Sequence, residues 1–414
     1  MTLGRAALRP DMSVSLRGAA VLAVATMLLL FSMAIPWQPL FQLALGLYAL
    51  AGLCLLWIVA GLAGLRFWRP APVRRSQVGQ VIHDAFVIEN RSVLPKLGVH
   101  VLDHSTLPGH RASTLLILPP RRRQDGALDT ESELRGLYSL GPTGAASIDP
   151  FGLFRLEWRI GGASDLLVYP ETVHLGDFAV PGNLLTEGTR HRQRTQLQTQ
   201  DPAGARQYVY GDSMRRIHWA STAHAGQLMA KEYEFTPAAD VWIVLDLQRE
   251  VHVGSGVQST EEYAVTTAAS IAAHYLHAAR TVGVLAASRR IEALAPDRGV
   301  RQLVRSLETL AMVRADGRQP LHEVLWSERV RFGHRATVIV VTPSTDERWA
   351  GVLAGLQHGG SRAAAILIEP STFGDAAGAT IQVAGLASAG VPTYLIKRSA
   401  SIREALHDGL LVRH

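Results

Sequence analysis

Val241-Trp242-Ile243-Val244-Leu245-Asp246 is an unbroken apolar run closed by an acid, and it decides the class of the C-terminal half. Six residues without alternation read as a strand buried on both faces, as in a parallel sheet covered by helices. Downstream, Ser259-Thr260-Glu261-Glu262 has the spacing of a capping box, in which the Ser side chain and the Glu three residues on satisfy each other's orphan amides. The helix it opens runs to about residue 279, with Ile271 and Leu276 on its apolar face. Further strands are predicted at 282–286, 337–342, 363–368 and 393–396. Helices are predicted near 299–313, 319–330 and 346–357, with a short one at the C-terminus. Apolar strands alternating with amphipathic helices predict an α/β doubly wound domain over 236–414.

Residues 76–170 have another rhythm. The segments 78–82, 85–88, 97–102, 137–140, 154–160 and 166–169 are short and alternating or apolar. Turn clusters such as Asn90-Arg91-Ser92 and Gly141-Pro142 separate them. That pattern predicts a β-sandwich-like domain. Arg121-Arg122-Arg123-Gln124-Asp125-Gly126 reads as a solvated basic loop within it.

Further upstream, no charged residue occurs from Gly18 to Leu65, a run of 48 positions. One membrane span needs about 20 apolar residues, so the run holds two. Pro36-Trp37-Gln38-Pro39 divides them, because paired prolines end one helix and restart another. A transmembrane helical hairpin is therefore expected over 16–66, after a tail of residues 1–15. The 414-residue chain is 48% hydrophobic and 18% charged with a net charge of +6, which excludes a disordered chain. Residues 1–75 contain seven arginines and one aspartate, whereas the remainder balances 34 basic against 34 acidic side chains. The excess flanks the hairpin on both sides, so the positive-inside rule predicts both ends and everything after residue 75 in the cytoplasm. The neutral remainder argues against a nucleic-acid partner. The single cysteine, Cys54, falls within the second span and excludes a disulfide framework.

Residues 171–235 join the two blocks, first polar, then dense in motif. The dense part reads Arg206-Gln207-Tyr208-Val209-Tyr210-Gly211-Asp212-Ser213-Met214-Arg215-Arg216-Ile217-His218-Trp219, and ends in Ala230-Lys231-Glu232-Tyr233-Glu234. Gly211-Asp212 is a turn followed by a helix cap. A short helix over 213–219 would place Met214 and Ile217 on one face, with Arg215 and Trp219 four apart on another. Lys231 is one of three lysines, with Lys96 and Lys397. Two readings of the basic residues Arg206, Arg215, Arg216 and Lys231 beside Asp212, Glu232 and Glu234 remain open. One is a structural Arg–carboxylate lattice; the other is a docking surface or anion site.

This segment resembles the signature of the domain-of-unknown-function 58 family, bacterial proteins often anchored by an N-terminal membrane hairpin. Asn90-Arg91-Ser92 through Pro95, Arg135-Gly136 with Tyr138, and Asp149-Pro150-Phe151-Gly152-Leu153-Phe154 look like the family's upstream β region. The α/β block looks like its von Willebrand factor A-like part. His218 stands where many members have Asp, and His224 where Arg is common. The expected role is a membrane-tethered scaffold or adaptor in the bacterial inner membrane, facing the cytoplasm. The resemblance implies a MoxR-type AAA+ ATPase as its partner in a chaperone-like assembly.

A von Willebrand A domain usually holds Mg²⁺ through a D-x-S-x-S loop after its first strand, small hydroxyls suiting a hard octahedral cation. Here that loop is Asp246-Leu247-Gln248-Arg249-Glu250, and a later strand ends Thr342-Pro343-Ser344 without an acid. Gln248 and Glu250 replace both serines, and Arg249 adds an opposing charge. Mg²⁺ is therefore not favoured, no cofactor is expected, and Asp246 reads as a sheet-edge cap in a degenerate site. There is no H-E-x-x-H motif and no phosphate-cradling G-x-x-x-x-G-K-[ST], so no enzyme is expected. The alternative is a metal-dependent hydrolase using Asp246 with His218, Asp212 and Arg215.

Overall fold

A computed structural model describes residues 11–35, 37–110, 113–176, 178–180, 202–209, 214, 217–233 and 239–407. They fall into two compact units. One is Met1–Glu171 with Leu307–Met312, and the other is Thr172–Ser306 with Val313–His414.

In the first unit, α1 (Leu16–Ala34) and α2 (Gln38–Leu62) are the two apolar helices, each long and apolar enough to cross a membrane. Thr26 and Tyr48 share a 2.8 Å hydrogen bond between them. Three sheets follow. The largest has the order β1 (Asp11–Val14), β10 (Phe154–Arg159), β9 (Thr143–Ile148), β5 (Lys96–Asp103), β6 (Ser113–Leu118), all antiparallel. The second joins β2 (Leu65–Trp68), β4 (Val81–Asn90) and β7 (Arg123–Glu131); the third joins β3 (Arg75–Gln77), β11 (Ser164–Tyr169) and β8 (Gly136–Leu140).

Several expectations are corrected here. The segments 78–82 and 85–88 belong largely to one long strand, β4. Arg123-Gln124-Asp125-Gly126 is the start of β7, paired with β4, not loop. Part of the expected tail, Asp11–Val14, is an edge strand paired with β10.

Helix α2 does not stop at the edge of the β structure. Ala51, Cys54, Ile58 and Leu62, spaced three or four apart, share one core with Val99, Val101, Ala145, Leu153, Phe154 and Leu156. The sheet admits the helix because β9 is Thr-Gly-Ala-Ala-Ser-Ile: a Cβ on Gly61 of α2 would lie 2.4 Å from Ser147 Oγ. Lys96 is wholly buried beneath it and donates to the Ala60 carbonyl. That oxygen is one of those a helix end leaves without a partner. Burial pushes the Lys96 ammonium below its ordinary value.

The second unit contains a six-stranded sheet in the order β16-β15-β14-β17-β18-β19. Its strands are β14 (Val241–Asp246), β15 (Val282–Ala287), β16 (Ile291–Asp297), β17 (Thr337–Thr342), β18 (Arg362–Ile368) and β19 (Thr393–Ile396). All pairs are parallel except the antiparallel edge β15–β16. The buried-strand reading of 241–246 holds, every residue being buried. Ser259 caps α4 (Thr260–His277) by accepting from the Glu262 N–H at 3.2 Å. Against the sheet's other face pack α6 (Leu321–Phe332), α7 (Arg348–His358) and α8 (Thr380–Ser388), through a core centred on Trp242 and Trp349. Helices on both faces make this an α/β unit with a largely parallel sheet. Also expected were α5 (Val300–Met312) and α9 (Ile402–His407), whereas α8 and β16 were not.

Candidate functional site

The motif segment forms a small element of its own. A two-stranded antiparallel ribbon pairs β12 (Pro202–Gln207) with β13 (Met229–Tyr233), placing Arg206 opposite Ala230 and Ala205 opposite Lys231. Beyond β12 the Tyr208 N–H donates to the Leu228 carbonyl, and Ile217, buried, bridges to Ala230. Met214 lies in a 3-10 turn that the Ile217 N–H closes at 3.3 Å, but residue 217 itself is not helical, so the expected continuous helix over 213–219 is corrected. The helix here is α3 (Trp219–Ala225), and its cap is His218, whose Nδ1 accepts from the Ser221 N–H at 3.2 Å. A ring nitrogen in place of a carboxylate oxygen still serves as the acceptor a helix start needs. Gly211, Asp212, Arg215 and Arg216 lie outside the described residues, as do the side chains of Lys231 and Glu232.

Trp219 is 68% exposed, so it fills no apolar pocket. Met214 at 74%, Val209 at 61% and Leu228 at 44% are exposed with it. Among its described residues the segment thus presents large apolar side chains to the outside, together with the exposed Arg206.

At the carboxyl edge of the α/β sheet, Asp246 is fully buried. The Thr342 hydroxyl donates to one of its oxygens at 2.6 Å and the Gln248 N–H to the other at 3.0 Å. Burial pushes its carboxyl up, against the hydrogen bonds from Thr342 and Gln248. The Gln248 side chain donates to Glu250 at 3.2 Å. The acid ties the ends of β14 and β17 together, which is what a cap of the sheet edge does.

One cluster escaped the sequence reading. Asp84, Asp103 and His110 each offer a ligand atom, all within 4.8 Å of one another. Arg69 fills that centre: its guanidinium donates to Asp84 at 2.8 Å and to Asp103 at 2.9 Å. His110 lies 3.1 Å from Asp103 and 2.9 Å from the Thr130 hydroxyl. Burial alone would raise the Asp103 carboxyl, but hydrogen bonds from His110 and Ser105 and the charge of Arg69 hold it below its ordinary value. With a fixed cation already between the acids, the arrangement is an ion network linking the sheets of the β unit. Its members are scattered from 69 to 110 on separate strands and loops, and no local spacing signals it.

Residues 204–370 match a family model described as protein of unknown function DUF58. The DUF58 match begins in β12 and ends just after β18, so it takes in both the motif ribbon and most of the parallel sheet. No curated protein matches. Among solved structures, a conserved hypothetical protein BatB from Bacteroides thetaiotaomicron is similar at 12% identity, covering 42% of this chain and 97% of that one, with a TM-score of 0.31. Proximal thread matrix protein 1 from the mussel byssus is similar at 14% identity, over 32% of this chain and 38% of its own, at TM-score 0.24. A CARDB domain from Pyrococcus furiosus is similar at 11% identity over 25% of this chain and 91% of its own, at TM-score 0.18. Likenesses at this level assign neither activity nor partner.

Proposed function

We propose that the protein is a scaffold or adaptor tethered to the bacterial inner membrane, with its β unit and von Willebrand A-like α/β unit in the cytoplasm. Its proposed partner is a MoxR-type AAA+ ATPase, in a chaperone-like assembly. The observation that carries the reading is the exposure of Trp219, Met214, Val209 and Leu228 on the motif element. A segment dense in motif that turns its tryptophan outward suits recognition, since exposed aromatics beside arginines anchor protein interfaces. This favours docking over the structural lattice for the described part of the motif. The metal-dependent hydrolase is the weaker reading, because both oxygens of Asp246 are engaged by Thr342 and Gln248 inside the protein.

The test is binding of the full chain in detergent to the ATPase, with and without excess EDTA. Binding that persists in EDTA, and falls by about tenfold or more in Trp219→Ala (a hot-spot loss of at least about 1.4 kcal/mol), fits the docking reading. Binding that vanishes in EDTA and returns with Mg²⁺ would put the metal-dependent reading ahead.

A further inference from the structure

The half of α2 that packs on the β sheet is apolar on its outer face too. Ala51, Cys54, Ile58 and Leu62 face the core. Between them Leu53 at 63%, Leu56 at 65%, Trp57 at 41% and Val59 at 50% are exposed. A helix apolar all round is covered on every side, whereas in the described chain this one is covered by the sheet and by Val21 and Leu22 of α1, with the exposed side chains left outward.

The spacing of tryptophans says how far that cover extends. Trp37 and Trp57 stand 20 residues apart, which is about 30 Å along a helix and equals a hydrocarbon core. Tryptophans mark membrane–water boundaries, so the near boundary falls at Trp57, within the sheet-packed half. Without that half, residues 38–50 of α2 would reach only about 20 Å.

The β9–β10 turn lies at the same level. From the close approach of Gly61 to Ser147, seven helix residues back to Cys54 advance about 10 Å, and the end of β9 with the first turn residues, Ile148 to Pro150, spans up to about 10 Å. Ser15, the cap of α1, donates to the Gly152 carbonyl at 2.7 Å through its hydroxyl and to the Leu153 carbonyl at 2.9 Å through its N–H. The turn is built to tolerate low polarity. Its one acid, Asp149, is buried and accepts from the Phe151 and Phe154 N–H groups at 2.9 and 2.6 Å. What it exposes is Ile148, Pro150 and Phe151, the last at 57%. Arg17, exposed in the first turn of α1, suits lipid phosphates beside it.

We propose that the tip of the β9–β10 turn, residues 148–151, sits in the headgroup–acyl boundary of the adjacent leaflet, fixing the β unit against the bilayer. The proposal rests on the membrane-tether reading, and its occupant is a lipid bilayer. The β unit then does not hang from a flexible stalk; hairpin, sheet and turn form one seat in the membrane surface.

Spin labels test it in the full chain, in a Cys54→Ala background, reconstituted into phosphatidylcholine–phosphatidylglycerol vesicles. Labels at Phe151→Cys, Leu53→Cys and Ile117→Cys are compared for collision with oxygen and with a water-soluble nickel chelate. Ile117 is exposed between the core residues Leu116 and Leu118 of β6, hence on the opposite sheet face. The expected result is oxygen-favoured labels at 151 and at 53, both about 5–10 Å below the headgroups, and a nickel-accessible one at 117. Ile148→Cys should repeat the result at 151. Nickel access at 151 and 148 with oxygen preference at 53 would overturn the seat and leave the tether standing. Nickel access at 53 as well would overturn both.

Discussion

At the scale of single residues, buried charge and exposed aromatics separate structural from functional roles. Arg69, Asp84 and Asp103 have side chains only 2–6% exposed and are joined at 2.8–2.9 Å. Removing one partner of such a network leaves an uncompensated buried charge, at a cost of about 3–5 kcal/mol. Arg69→Ala should therefore lower the melting temperature of the full chain in detergent sharply, as read by circular dichroism. The pH dependence follows from Asp103. Its folded carboxyl lies below the ordinary value, so its contribution is complete above the unfolded carboxylate range and is lost as pH falls through the lower folded value. Melting followed from about pH 7 to about pH 3 should show this acid loss in the parent, and a shallower one in Asp103→Asn. Trp219 is the opposite case. Being 68% exposed, it should tolerate Trp219→Ala within about 0.5 kcal/mol of stability, while ATPase binding weakens. A large loss of melting temperature in that variant would return Trp219 to the structural lattice.

At the scale of elements, the root of the helical hairpin is fitted to the sheet by glycine. A Cβ at Gly18 would stand 2.4 Å from the Leu153 carbonyl oxygen, a backbone atom that cannot swing aside, whereas Gly46 has nothing within 4 Å. Gly18→Ala should therefore cost about 1–3 kcal/mol as overpacking, and Gly46→Ala should leave thermal stability unchanged or slightly raised. Equal melting of the two variants would mean that α1 is not seated on Leu153. The elements legible in the sequence were those with an unbroken apolar run or a clear period, including the alternating strands β5, β10 and β11. The strand at 241–246, α4 with its Ser259 cap, and the long apolar helices all announce themselves through one-letter patterns. Strand β9 did not, because Gly144, Ala145, Ala146 and Ser147 are small to make room for a neighbour, and small residues carry little strand signal. Edge strand β16 also escaped, its seven residues being half-exposed or exposed without clean alternation. In the motif, the residue types were legible but their conformation was not. A run that reads as one helix from 213 has a 3-10 turn at Met214, closed by the Ile217 N–H, is broken at Ile217 by the bridge to Ala230, and resumes as α3 after His218 caps it.

At the scale of the whole chain, the proposed reading of an arginine-flanked apolar hairpin, a β unit and an α/β unit is an anchored adaptor, and two outcomes check it. In the proposed topology, drawn from the positive-inside rule, both ends are cytoplasmic, so a reporter fused after residue 414 should be active only as a cytoplasmic fusion. Activity only as a periplasmic fusion would reverse the topology. The most direct measurement is affinity purification of the full chain from native membranes in excess EDTA, alongside the Trp219→Ala variant. We expect a MoxR-type AAA+ ATPase to co-purify with the parent in EDTA and to be depleted from the variant. An ATPase absent from the parent, or retained equally by both, would overturn the adaptor reading built on the exposed motif.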